Sequence, residues 1–206
     1  MLPVGNCFPF GFVHFSVKLF QSIRIIYQIK QEWPNCIIYS NVILYDIDYI
    51  YISNDFILDQ ALKCQNGPNG ILIVIDEAHL FFNKKNGIPL DVLTCISQQR
   101  KDRRRLCFTS QIWEELDISL RKQVKEVVDC HKIFNCIQIN TISDGETITY
   151  DKLQGTWTAK KIRTDIFKHN DKLYKLFDTR QKIVRNNNYE REYQQQSVVN
   201  FTTKKL

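Results

Sequence analysis

Ile71-Leu72-Ile73-Val74-Ile75-Asp76-Glu77-Ala78-His79 is the segment on which the fold turns. Five consecutive aliphatic residues follow the turn Asn66-Gly67-Pro68-Asn69-Gly70 and end in two acids. A continuous apolar run bounded by a turn is a strand buried on both faces, as in a parallel sheet. Ligands of open α/β sheets bind beyond the carboxyl ends of the strands. A carboxylate at that end can hold Mg2+, directly or through water, and a second one can orient or deprotonate an attacking water. Asp76 is therefore the candidate metal and nucleotide ligand, and Glu77 the candidate catalytic residue. The competing reading is a buried strand ending in a solvated acidic loop. His79 is read as packing beneath the next helix, with sensing of nucleotide state as the alternative.

The flanking sequence alternates strand and helix. Cys36 to Ser40 and Tyr49 to Ile52 read as short strands. Asp55 to Lys63 reads as a helix capped by Asn54. Leu90 to Lys101 reads as a helix with Leu90, Leu93 and Ser97 toward the sheet and Val92 and Ile96 widening the stripe. Leu106 to Ser110 is the next strand, Asp117 to Val124 a helix, and Val127 to Ile139 one or two further strands. The pattern predicts an α/β fold, a parallel sheet flanked by helices. Residues 1–140 form the expected core. A small α+β appendage is expected over 141–184, with a hairpin from Gly145 to Thr149 and Gly155 to Ala159 and a helix from Asp165 to Leu176. The polar tract from 185 to 206 is expected to be a flexible tail. No internal repeat is present.

Two further stretches bear on chemistry. Phe108-Thr109-Ser110-Gln111 ends the strand after the acidic one. Gln111 is placed there to hydrogen-bond a γ-phosphate or the lytic water, against the plainer reading of a strand-end turn. Gln98 to Arg105 carries five basic residues and one acid. Its ordinary meaning is a solvated helix end. Two functional meanings compete with that: contact with DNA phosphates, or an arginine finger, Arg100 or Arg103, reaching a neighbouring subunit's site.

Length and composition set bounds. The chain has 206 residues, 44% of them hydrophobic and 24% charged, enough to bury a core and unlike disordered or collagenous chains. Net charge is +6, which permits a nucleic-acid partner without requiring one. Seven cysteines fall at irregular spacings with no CxxC pair, consistent with reduced thiols. Cys130, His131 and Cys136 fit no usual zinc spacing. The apolar N-terminus lacks a basic start and a cleavage site, so it is not read as a signal peptide. No stretch approaches the roughly 18 apolar residues of a membrane span. A cytoplasmic protein is expected, in the host cytoplasm if the chain is viral.

Taken in order, Ile38-Tyr39-Ser40-Asn41-Val42, Asp48-Tyr49-Ile50-Tyr51, Ile73 to His79, Ile96 to Lys101, Phe108 to Gln111, Leu120-Arg121 and Leu173 to Thr179 resemble the zonula occludens toxin-like ATPases and related viral or plasmid ATPases of the FtsK–HerA superfamily. Within that resemblance Ile71 to Glu77 is similar to a Walker B element. The resemblance implies a P-loop NTPase-like fold, ATP and Mg2+ as cofactors, and a homo-oligomer, a hexameric ring among the forms. It also implies DNA as partner, in packaging, export or virion assembly. A two-domain DEAH helicase would need roughly twice this length.

A phosphate loop, GxxxxGK[ST], belongs before the first helix, where its amides cradle phosphate and its lysine neutralises it. The chain offers Gly5 and Gly11, six apart, with Phe12 and Val13 where lysine and a hydroxyl are wanted; no GK[ST] occurs anywhere. Three explanations remain open. The first residues are out of frame or begin at a wrong start; the chain is a degenerate member that binds nucleotide poorly; or the phosphate site is built differently, with Lys18 substituting. Lys18 is read as a surface lysine. The expected outcome is slow or absent ATP hydrolysis. The alternative function is a catalytically inactive scaffold of the same fold.

Overall fold

The computed structural model describes residues 8–11, 15–134, 136–151, 156–178, 181 and 183, with side chains from residue 18 onward. In chain order the elements are β1 (Phe8–Gly11), α1 (Phe15–Glu32), β2 (Ile37–Ser40), β3 (Ile50–Tyr51), α2 (Asp55–Lys63), β4 (Ile71–Ile75), α3 (Leu90–Ser97), β5 (Arg104–Thr109) and α4 (Ile118–Arg121). They continue as β6 (Glu126–Ile133), β7 (Ile137–Asp144), β8 (Thr149–Asp151), β9 (Thr156–Thr158), β10 (Lys161–Lys168) and α5 (Asp171–Tyr174). One eight-stranded sheet has the order β10-β7-β6-β1-β5-β4-β2-β3. The strands from β6 to β3 run parallel, and β7 and β10 are added antiparallel at one edge.

The aliphatic run of β4 divides its side chains between two cores, as the period of two requires. Leu72 and Val74 pack with Leu19, Phe20, Ile23 and Ile26 of α1. Ile71, Ile73 and Ile75 pack with Leu58, Ala61 and Leu62 of α2 and Ile96 of α3 on the opposite face. Every residue of β4 is buried. The result is three layers, helix on sheet on helix, with β4 and β5 at the centre. Asn54 caps α2 by accepting from the Ile57 amide at 2.9 Å.

Several expectations are corrected. Helix α3 ends at Ser97, not Lys101, and its buried residue is Ile96; Leu90 and Ser97 are exposed. The stripe follows Val92, Cys95 and Ile96, which pack on the core beneath. The helix expected over Asp165 to Leu176 is mostly strand β10, paired with β7 from Lys161 to Lys168. Only Asp171–Tyr174 is helical, capped by Asn170. Phe167 of β10 packs on the α1 side of the core, with the Arg24 guanidinium 3.9 Å over its ring. The boundary expected at 140/141 falls inside β7, and β10 extends the same sheet, so the first part of the appendage is continuous with the core. The small hairpin pairs β8 with β9, later than expected because Gly145–Thr147 forms a 3-10 turn. The expected tail, 185–206, lies outside the described residues, as does Gly5.

Candidate functional site

Parallel strands deliver their carboxyl ends to one rim of the sheet, and the site is built there. Ser40 of β2 is followed by Asn41, Ile75 of β4 by Asp76 and Glu77, and Thr109 of β5 by Ser110 and Gln111. Asp76 is 2% exposed and Glu77 8%. The Asp76 backbone is gripped from both sides by the Asn41 side-chain amide. Asn41 Nδ2 donates to the Asp76 carbonyl at 2.8 Å, and the Asp76 N–H donates to Asn41 Oδ1 at 2.7 Å. The Thr109 hydroxyl donates to Asp76 Oδ1 and accepts from the Glu77 N–H at 3.2 Å. Glu77 adopts the left-handed conformation, with φ 53° and ψ 49°. A non-glycine residue there stores strain of a kind concentrated at working sites.

Gln111 and Glu77, separate in sequence, meet: Gln111 Nε2 donates to Glu77 Oε1 at 2.6 Å. His79 does not merely pack under a helix. Its Nδ1 lies 3.2 Å from Glu77 Oε2 and 3.5 Å from the Ser110 hydroxyl. Gln111 therefore holds Glu77 Oε1, while Oε2, near the His79 ring, is buried with no hydrogen-bond partner among the described residues.

Lys18, in the first turn of α1, is 3% exposed, which corrects its reading as a surface residue. Its Nζ donates to the Ser110 carbonyl at 2.8 Å. Burial lowers the lysine's pKa, and the surrounding charges of Glu77, Asp129 and Asp76 act in the opposite direction. A cation at a helix N-terminus opposes the helix dipole. Burying one there is costly unless anions compensate it. Asp129 of β6, half-buried, has its pKa raised by burial and drawn down by His131 and Lys18.

Asp76 has its pKa pushed up to about 6, chiefly by burial, with the charge of Glu77 adding to it and the Thr109 hydrogen bond opposing. Its second oxygen, Oδ2, is buried with no hydrogen-bond partner among the described residues. A buried carboxylate oxygen left unmatched is costly. A divalent cation would satisfy it, so the residues present fit Mg2+ at Asp76. No group of three or more metal-ligating side chains occurs among the described residues, so other ligands would have to come from water or nucleotide phosphate.

The arginines lie elsewhere. Arg104 pairs with Ile71, the first residue of β4, so the 98–105 run leads into the start of β5 at the rim opposite Asp76. The strand between spans roughly 17 Å. Arg100 is exposed, and Arg103 is exposed with its guanidinium donating to the Pro68 carbonyl at 3.1 Å. Neither reaches this chain's own Asp76. Arg104 departs from the reading of a solvated run: it is 1% exposed and donates to the carbonyls of Cys64 at 2.7 Å and Cys95 at 3.3 Å. Gly11 is the last residue of β1, and residues 12–14 alone separate it from α1. The phosphate loop expected across Gly5 and Gly11 is thus replaced from Phe8 onward by a strand, because β1 is claimed by pairing with β5 and β6.

The fold finds its counterpart in known proteins. The family model described as zonular occludens toxin (Zot) matches residues 19–181. The chain belongs to the Zot family. Among solved structures, it is similar to the N-terminal domain of zonular occludens toxin from Neisseria meningitidis, with a TM-score of 0.62 at 13% identity, over 85% of this chain and 100% of that one. It is also similar to the genome packaging NTPase B204 from Sulfolobus turreted icosahedral virus 2 in complex with ATP-gammaS, with a TM-score of 0.52 at 12% identity, over 78% of this chain and 98% of that one. The same NTPase in complex with AMPPCP matches at 14% identity with a TM-score of 0.52, over 79% and 100%. Among curated proteins none matches the chain. Sequence reasoning alone misses Asn41 and Thr109 as parts of this site and favours the surface for Lys18. A polar residue closing each buried strand is the signal for Asn41 and Thr109. Lys18 gives none, being one lysine in an amphipathic helix.

No helix among the described residues is long and apolar enough to cross a membrane. The six described cysteines are free.

Proposed function

We propose that this Zot-family chain is a nucleotide-driven motor subunit that binds ATP at the rim formed by β4, β5 and the start of α1. The observation that carries this reading is the buried, unpartnered Asp76 Oδ2 set beside Glu77, Gln111 and Lys18. Asp76 would hold Mg2+, and the ion would supply charge neutralisation of the nucleotide phosphates. Glu77 accepts the proton of the attacking water, and Gln111, now on Glu77 Oε1, turns to the water or γ-phosphate when nucleotide is present. Lys18, beside the Ser110 carbonyl at the same rim, supplies the cation that the missing loop lysine would supply, and it is kept charged by the carboxylates of Glu77, Asp129 and Asp76. Arg100 or Arg103 acts in trans, on the site of an adjacent subunit in a homo-oligomer, a ring being the closed form of such a contact. The B204 structures of genome packaging NTPases support DNA handling in packaging, export or virion assembly as the task.

Titration calorimetry with Mg-ATP on this chain and on Asp76→Ala tests the reading. Binding by the former that is lost in the latter is expected; equal binding by both overturns it. Hydrolysis is expected to be slow, because Phe12 and Val13 stand where the loop lysine and hydroxyl are wanted and no GK[ST] occurs in the sequence. That same lack favours a second reading, an inactive scaffold of the Zot fold. Absence of Mg-ATP binding by the unaltered chain selects it.

A further inference from the structure

After β10 the chain packs on the α1 face of the sheet. Leu173, Leu176 and Phe177 are buried in the core shared with α1. From that anchor the segment runs alongside the loop that follows β2. Phe177 bridges Leu44 in antiparallel fashion, and the Tyr45 N–H donates to the Leu176 carbonyl at 2.8 Å. The contact closes at Gln181, whose one side-chain amide makes three hydrogen bonds. Gln181 Oε1 accepts from the Ile43 N–H at 2.7 Å. Its Nε2 donates to the Asn41 carbonyl at 3.1 Å and to the Tyr51 hydroxyl at 3.3 Å.

Asn41 is 1% exposed and is also the residue whose side chain grips Asp76 by both its N–H and its carbonyl. One residue therefore takes a hydrogen bond from the C-terminal segment on its backbone and passes two to the acidic rim from its side chain. Secondary structure alone does not hold this loop. Residues 41–49 lie between β2 and β3, with the Val42 N–H bonded to the Ser40 hydroxyl and the Leu44 N–H to the Tyr49 hydroxyl. A side chain that aims a metal ligand must be fixed to within about half an ångström to be useful.

We infer that residues 176–178 together with Gln181 form a strap that sets the position of Asp76 through Asn41, with Gln181 as the positioning residue. This rests on the reading of Asp76 as the divalent-cation ligand for its consequence, though not for its geometry. Losing the Gln181 amide releases the Asn41 carbonyl and the Ile43 N–H, and leaves the Asn41 backbone on its long N–H bond to the Val74 carbonyl at 3.4 Å. The Asn41 side chain then holds the Asp76 backbone less firmly, and the carboxylate is aimed less well.

The test uses the full chain with two readouts. One is the amide resonance of Asp76 and its hydrogen-exchange rate. The other is the Mn2+ concentration that broadens the neighbouring Ser110 and Gln111 amides. Gln181→Ala is expected to shift the Asp76 resonance, speed its exchange and raise the required Mn2+ about three- to tenfold, the effect of one hydrogen bond. Gln181→Glu keeps an acceptor for Ile43 but loses donation to Asn41, and is expected to reproduce the Asp76 shift with the fold intact. Tyr51→Phe, which leaves the Asn41 link in place, is expected to leave Asp76 unmoved. In an Asn41→Ala background, Gln181→Ala is expected to add nothing to the Mn2+ effect, since a relay through one residue is non-additive. An unchanged Asp76 amide in Gln181→Ala and Gln181→Glu overturns the inference. If the unaltered chain shows no Mn2+ broadening, the metal role of Asp76 fails, while the amide readout still decides for or against the strap.

Discussion

Asp76→Asn keeps the shape of the side chain and removes its charge. In the folded chain burial, with the charge of Glu77 added, moves the Asp76 pKa from its ordinary 3.8 to about 6. The difference is about two pH units. At about 1.36 kcal/mol per unit, ionising this group costs the fold about 3 kcal/mol. The folded-state value is raised, so protonation favours the folded form. The cost is absent below about pH 4 and complete above about pH 7. The unaltered chain loses that stability as pH rises through the interval, and Asp76→Asn does not. The carboxamide oxygen of the substituted side chain still accepts from the Thr109 hydroxyl. At pH 8 the variant is therefore expected to be the more stable by up to about 3 kcal/mol, or ~6–12 °C in Tm for a chain of this length. Urea denaturation of both proteins at steps from pH 4.5 to 8 measures it, with the difference between them isolating Asp76 from every other titrating group. The variant is also expected to lose Mg-ATP binding, the pattern of a site held in a costly state for use. A stability difference that stays flat with pH, or an Asp76→Asn protein less stable at pH 8, would refute the reasoning.

Four other substitutions separate function from scaffold. Lys18→Met keeps the buried stem and removes the charge; it is expected to weaken Mg-ATP binding at least about tenfold by calorimetry while shifting Tm by only a few degrees. Unchanged affinity would leave Lys18 a structural role alone. Arg104→Ala strips the donors from the Cys64 and Cys95 carbonyls inside the protein and is expected to cost about 2–4 kcal/mol in urea melts. Arg103→Ala, on an exposed side chain, is expected to stay within about 0.5 kcal/mol. In Gly145→Ala the new Cβ would meet the Val124 carbonyl oxygen at 2.4 Å, so a loss of about 1–3 kcal/mol is expected, measured in the same melts.

Local physics makes the centre of the molecule legible in the sequence itself. The run from Ile71 to Ile75 has no polar face, so it can only be a strand covered on both sides, and the acids after it can only stand at the strand's end. Asn54 before an amphipathic stretch and the turn at 66–70 carry their own start and stop chemistry. Those signals lie within a few residues of one another. The alternating strand and helix order then leaves few topologies.

What the tertiary structure decided involves partners distant in sequence. Lys18 is an ordinary helix lysine until the fold brings it against Ser110, Glu77 and Asp129. Arg104 belongs to a basic run until the carbonyls of Cys64 and Cys95 claim its guanidinium. The stretch over 165–168 could be written as helix or strand, and the open edge of β7 chose strand by offering its backbone groups. Gln181 acquires a role only because a segment at the far end of the chain is laid beside Asn41, which in turn holds Asp76. A side chain's type sets which bonds it can make, and sequence shows that directly. Which partner it meets depends on loop closure over tens of residues, and that is settled by the packing of the whole core.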